Sequence, residues 1–150
     1  MTANKTIKQI RLIYFIVSIM LGTFALLSFI YVAQVGQVYQ LDPSTENNLK
    51  SLIIILALAG IPACYMFHKR KVSHINQELS IDKKLLQYRS SYFIKIVTLE
   101  GISLLCLLLY LMTGNINQLM IFGLVYLFLL LNYPGKSTIQ SELKINLDEL

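Results

Sequence analysis

Apolar residues along this chain gather in uncharged blocks separated by short polar segments, and four of the blocks have the length of membrane helices. The first covers residues 12–33 without a charge. At 1.5 Å per residue it reaches about 33 Å, enough to cross a hydrocarbon core of about 30 Å. The others cover residues 51–67, 92–112 and about 116–133. Pro43, the turn Thr113-Gly114-Asn115 and Pro134 punctuate them as helix breakers do. The last two blocks are joined so tightly that they must form an antiparallel hairpin. The predicted fold is all-α: a single membrane domain over residues 1–150 with four transmembrane helices in a compact bundle.

The polar segments predict an orientation. Lys5, Lys8 and Arg11 precede the first block; Lys69, Arg70, Lys71, Lys83, Lys84 and Arg89 lie in the 68–91 connection; Lys136 and Lys144 follow the fourth block. The other two connections carry only Lys50. Basic segments stay on the cytoplasmic side, so the N and C termini and the 68–91 connection are expected in the cytoplasm, in a membrane of the bacterial inner type. The basic start resembles a signal peptide. Its apolar run exceeds the roughly 7 to 15 residues of such a segment, however, and Tyr31 with Ala33 is a poor cleavage pair, so the helix is expected to stay attached.

Both cytoplasmic segments carry helical patterning of their own. Val72, Ile75 and Leu79 recur at helical spacing, Ile81, Leu85, Tyr88 and Tyr92 continue the series, and Ser80 with Asp82 marks a helix start near Ile81. In the 134–150 tail, Ile139, Leu143 and Leu147 stand four apart among Glu142, Lys144, Asp148 and Glu149, which predicts a short amphipathic helix able to dock on the cytoplasmic face. The same tail contains GKST at 135–138. A phosphate-binding loop needs a glycine five residues before that Gly135, and the position is Leu130, inside an apolar block.

Composition agrees with the membrane reading: 55% of residues are hydrophobic, 14% are charged, and the mean hydropathy is +0.60. The net charge of +5 sits at block ends rather than along a polar face, so lipid is the expected partner and nucleic acid is not. Tyr31, Tyr39, Tyr65, Tyr92, Tyr110 and Tyr133 fall towards block ends, where amphipathic rings suit the headgroup region. Cys64 and Cys106 each lie inside an apolar block without a CxxC partner and read as small buried hydrophobes. His68 and His74 lie in a basic stretch and read as solvated, and no nucleophile with a base at motif spacing is visible. No catalytic residue, cofactor or metal is expected.

One carboxylate breaks the pattern. Glu100 lies about 12 Å inside a span that starts at Tyr92, where an ionised group is unfavourable by at least about 2.5 kcal/mol unless it faces protein or water. Of the residues three or four away on its helix face, only Ser103 is polar; Thr98 points elsewhere. Lys95, five positions earlier, is turned about 140° away and is expected to snorkel to the surface. Matched depth brings in Ser18 with Gly22 on the first span, a small-xxx-small pair, then Gly60 before Pro62 on the second and Tyr126 on the fourth. The candidate polar site is therefore Glu100, Ser103, Tyr126 and Ser18. Glu100 either finds a partner on another helix or is protonated.

The segment TLEGISLLCLLLYLM, residues 98–112, resembles the carboxylate-bearing helix of rotary ATPase proteolipid subunits, and four spans in a chain of this length resemble their duplicated form. The resemblance implies Glu100 as an ion carrier. The glycine-rich packing helices of that family have no counterpart here, since the whole chain holds seven glycines and its second block reads ALAGIPA. The expected function is that of a small integral membrane protein serving as an interaction or accessory subunit, in a homo-oligomer or a larger membrane complex. The alternative is a small transporter that moves an ion or proton through the intramembrane carboxylate.

Overall fold

The computed structural model describes residues 3–146, and among them every regular element is a helix. The five helices are α1 (Ala3–Val35), α2 (Pro43–Ser73), α3 (Ile81–Thr113), α4 (Ile116–Leu131) and α5 (Lys136–Leu143). Three of them, α1 to α3, are long and apolar enough to cross a membrane. A fourth crossing is made if α4 and α5, bent by 76° at their junction, are taken together. Alone, the 16 residues of α4 rise about 24 Å, just short of the hydrocarbon thickness.

α3 occupies the middle, packing against α1, α2 and α4. Its most apolar window is 44% buried, against 22% for α1 and 17% for α2, whose remaining apolar side chains face outward. The reason lies in its sequence. Leu85, Tyr88, Tyr92, Lys95, Leu99, Ile102, Cys106 and Leu109 alternate in steps of three and four, and all are buried. That spacing is the seam of side-by-side helix packing, while a second row, Ile96, Ser103, Leu107 and Tyr110, serves its other neighbours. At Gly60 on α2, an added Cβ would stand 2.9 Å from Ile102 Cδ1, so the two helices meet closely there.

The helix ends are set by local chemistry. Asp42 caps α2: its carboxylate accepts from the Thr45 amide at 2.9 Å, and Pro43 starts the first turn. The hydrogen bonds from Ser44 and Thr45 hold that carboxyl down to about 2. α3 begins at Ile81 after Ser80, which makes no side-chain cap bond, and ends at Gly114, whose φ of 65° closes a left-handed cap onto the Tyr110 carbonyl.

The two ends of the molecule are chemically distinct. At one end the 36–42 connection bonds to the last turn of α3, through Val38 N to Leu111 O and Tyr39 N to Met112 O, and Asn115 donates to Glu46 at 2.9 Å. At the other end Arg89 reaches Gln9 at 2.7 Å, Arg11 reaches the Pro134 carbonyl at 3.3 Å, and α5 rests on α2. The first turns of α1, the 74–80 connection and the tail therefore share one end. α5 docks through Ile139 and Leu143, both within 1% of full burial; Leu147, the third residue of the predicted repeat, lies outside the described residues together with Asp148 and Glu149.

Candidate functional site

The residues singled out at mid-span separate into two places. Tyr126 on α4 donates its hydroxyl to the Ser18 carbonyl on α1 at 2.9 Å. Gly22 makes room for it, since an added Cβ would lie 2.9 Å from the same oxygen. Among the described residues the Ser18 hydroxyl is buried without a hydrogen-bond partner, and so is the Ser103 hydroxyl on α3. Glu100 stands apart from that contact. It lies on the border of α3 between buried Ile96 and Ser103 and outward-facing Val97 and Leu104, half-buried, with no hydrogen bond or ion pair among the described residues.

A richer constellation lies at the end shared by the termini. His68, near the C-terminus of α2, is 4% exposed rather than solvated. It continues the buried stripe of Cys64 and Val72 at intervals of four, so its face on α2 turns inward while Lys69, Arg70 and Lys71 turn out. Its Nδ1 lies 2.9 Å from Ser91 Oγ on α3, and its Nε2 lies 3.2 Å from Glu142 Oε2 on α5. An ionised carboxylate only accepts, so Nε2 donates its proton to Glu142, and Nδ1 hydrogen-bonds with the Ser91 hydroxyl. The ring is held edge-on to Tyr88 at 5.3 Å between centroids.

Glu142 is the outer member of this relay, with its side chain 35% exposed. Burial pushes its carboxyl up, but hydrogen bonds from His68 and Tyr88 and the positive charges of His68 and Lys95 outweigh that and hold it below the ordinary carboxylate value.

Lys95 is the second residue that departs from expectation. It does not snorkel outward: it is 5% exposed, seated in the buried seam of α3. Its ammonium lies 5.4 Å from the centre of the Tyr65 ring and 5.2 Å from that of Tyr92. The two rings are locked in turn. Tyr92 donates to the Asn132 carbonyl at 2.8 Å, and the Asn132 amide donates to the Tyr65 hydroxyl. Tyr14 donates to the Leu130 carbonyl at 2.9 Å. The Tyr14 and Tyr92 hydroxyls thus satisfy carbonyls at the end of α4, and Arg11 on the Pro134 carbonyl ties the bend into α5 to α1.

Between α2, α3, the end of α4 and α5 lies a cavity of about 630 Å³, and His68, Lys69, Lys95, Asn132, Glu142 and Lys144 provide its polar lining. The chemistry available is charge recognition and proton exchange. Ser91 is 2% exposed and lines a separate cavity of about 390 Å³ with Lys71, Gln87, Ser90 and Ile94, while the Glu142 carboxylate faces the first. Among the described residues no three His, Cys, Asp or Glu side chains converge as metal ligands. Comparison of the chain with protein-family models, with curated proteins and with solved structures finds no match in any of the three.

Proposed function

We propose that this chain is a small multi-pass protein of a bacterial-type inner membrane, with four crossings in one bundle and both termini in the cytoplasm, serving as an interaction or accessory subunit. The observation that carries the reading is the docked tail. α5 is seated by Ile139 and Leu143 and tied to α2 through Glu142 and His68, so the basic end presents a shaped polar surface rather than loose ends. Such a surface suits recognition of a second copy or of a larger membrane complex. Orientation is supported by the thirteen Lys and Arg residues, of which only Lys50 lies towards the opposite end.

The test is purification from native membranes after mild crosslinking, comparing the wild type with Ile139→Ser, which unseats α5. The expected result is a stoichiometric homo-oligomer or companion protein that is lost in the variant. A wild-type chain recovered as a monomer with no stoichiometric companion would reject the accessory role.

A second reading has its own observation, the unpartnered Glu100 carboxylate at the edge of α3. In it the chain passes an ion or proton through the bilayer. Flux in proteoliposomes that is unchanged by Glu100→Gln removes this carboxylate from any transport step.

A further inference from the structure

We infer that the cavity at the basic end is a binding site for a phosphate-bearing anion at headgroup depth, with Lys95 as its innermost ligand. Three independent features converge there. The first is Lys95 itself: nine-tenths buried, lining the cavity, and facing two tyrosine rings with no carboxylate within ion-pair distance among the described residues. A buried ammonium is stable when paired, and ring faces supply only part of what water gave up. An anion in the cavity completes its coordination.

The second feature is the charge of the lining. Among the described residues, Lys69, Lys95 and Lys144 face one carboxylate, Glu142, whose charge His68, Tyr88 and Lys95 share. The balance of charge on this described lining is positive and suits a phosphate group. Asn132 and Ser141 add polar groups on the same wall.

The third is depth. Lys95 lies three residues, about 4.5 Å of helical rise, inside Tyr92 on α3. Tyr65, Tyr92 and Tyr133 mark the band where aromatic rings meet headgroups. Met66, 57% exposed, carries the wall of the cavity onto the outer apolar face of α2, so acyl chains have a path out to lipid while the phosphate stays within. The shared chemistry is a phosphate ester or free phosphate, and the source is separated by experiment.

The full-length protein in lipid-free detergent micelles is titrated with phosphatidic acid, with diacylglycerol, which lacks the phosphate, and with inorganic phosphate. Thermal unfolding and intact-complex mass spectrometry are the readouts. A single phosphatidic acid adduct that stabilises the chain, with none from diacylglycerol, assigns a lipid headgroup. Stabilisation by inorganic phosphate to the same extent assigns a soluble phosphate.

In either case Lys95→Gln weakens binding about tenfold or more, as loss of one charge-assisted contact does. The exposed pair Lys69→Gln with Lys144→Gln weakens it severalfold and carries the test should Lys95→Gln fail to fold. Lys50→Gln at the far end leaves it unchanged. Absence of binding by all three probes overturns the site, as does an adduct that survives both the Lys95 and the Lys69/Lys144 substitutions.

Discussion

At the scale of single residues, the close approach of α4 to α1 is also directional. Gly22 has hydrogen where any other residue has Cβ, and the Tyr126 hydroxyl fills that space on its way to the Ser18 carbonyl. Gly22→Ala must push the hydroxyl aside, while Tyr126→Phe removes it and leaves the glycine harmless. Each single change is expected to cost about 1 kcal/mol, the net worth of such a bond. The double variant is expected to cost little more than Tyr126→Phe alone, and a thermodynamic cycle of unfolding in detergent checks this; strict additivity would mean the two side chains do not share the contact. Ser18, Gly22 and Tyr126 share a level that is legible in the sequence, because rise per residue is a property of the helix alone. Rotation about the helix axis depends on the neighbours instead, and Glu100 lies at the edge of α3 with no bond to Tyr126.

At the scale of helices, the short α5 is seated by Ile139 and Leu143 and held by a carboxylate, Glu142, against His68 and Tyr88, so it is the element whose docking responds to pH. The Glu142 carboxyl is held below its unfolded value when docked. Its contribution is therefore fully present above the ordinary carboxylate pKa of about 4 to 4.5, and is lost as pH falls through the depressed value. Amide exchange in α5 is expected to be slow and level at neutral pH, once the intrinsic pH dependence of exchange is removed, and to quicken on the acid side. Glu142→Gln should abolish that acid transition and quicken exchange at neutral pH; an unchanged profile in this variant would assign the docking to Ile139 and Leu143 alone. The tail helix and the start of α3 at Ile81 were legible in the sequence, since apolar spacing and the Ser80 with Asp82 signal depend on local pattern. His68 and Lys95 were misread because residue type was weighed above position. Both sit on rows that the apolar residues define, Cys64, His68, Val72 on α2 and Tyr92, Lys95, Leu99 on α3. A polar residue on such a row is carried into the interior with it, as His68 and Lys95 are.

At the scale of the whole molecule, the two ends differ in charge as well as in connection. The end with the 36–42 segment carries Asp42, Glu46 and Lys50; the end with the 74–80 segment gathers the remaining lysines and arginines, the tail helix and the cavity. Basic segments resist translocation, so the second end is expected to face the cytoplasm. Gln40 and Glu78 are exposed, one at each end, and the native Cys64 and Cys106 are buried inside α2 and α3, so introduced thiols can be read without removing the native ones. In right-side-out vesicles a membrane-impermeant maleimide is expected to label Gln40→Cys at once and Glu78→Cys only after the membrane is opened. Inverted vesicles are expected to give the reverse order. Labelling of both positions from one side of intact vesicles would mean that α2 does not cross, and the cavity would then have to be reconsidered as a feature away from the headgroup layer. Labelling in the opposite sense would keep the crossings but put the cavity among the headgroups of the outer leaflet, where positive charge gains less from anionic lipid.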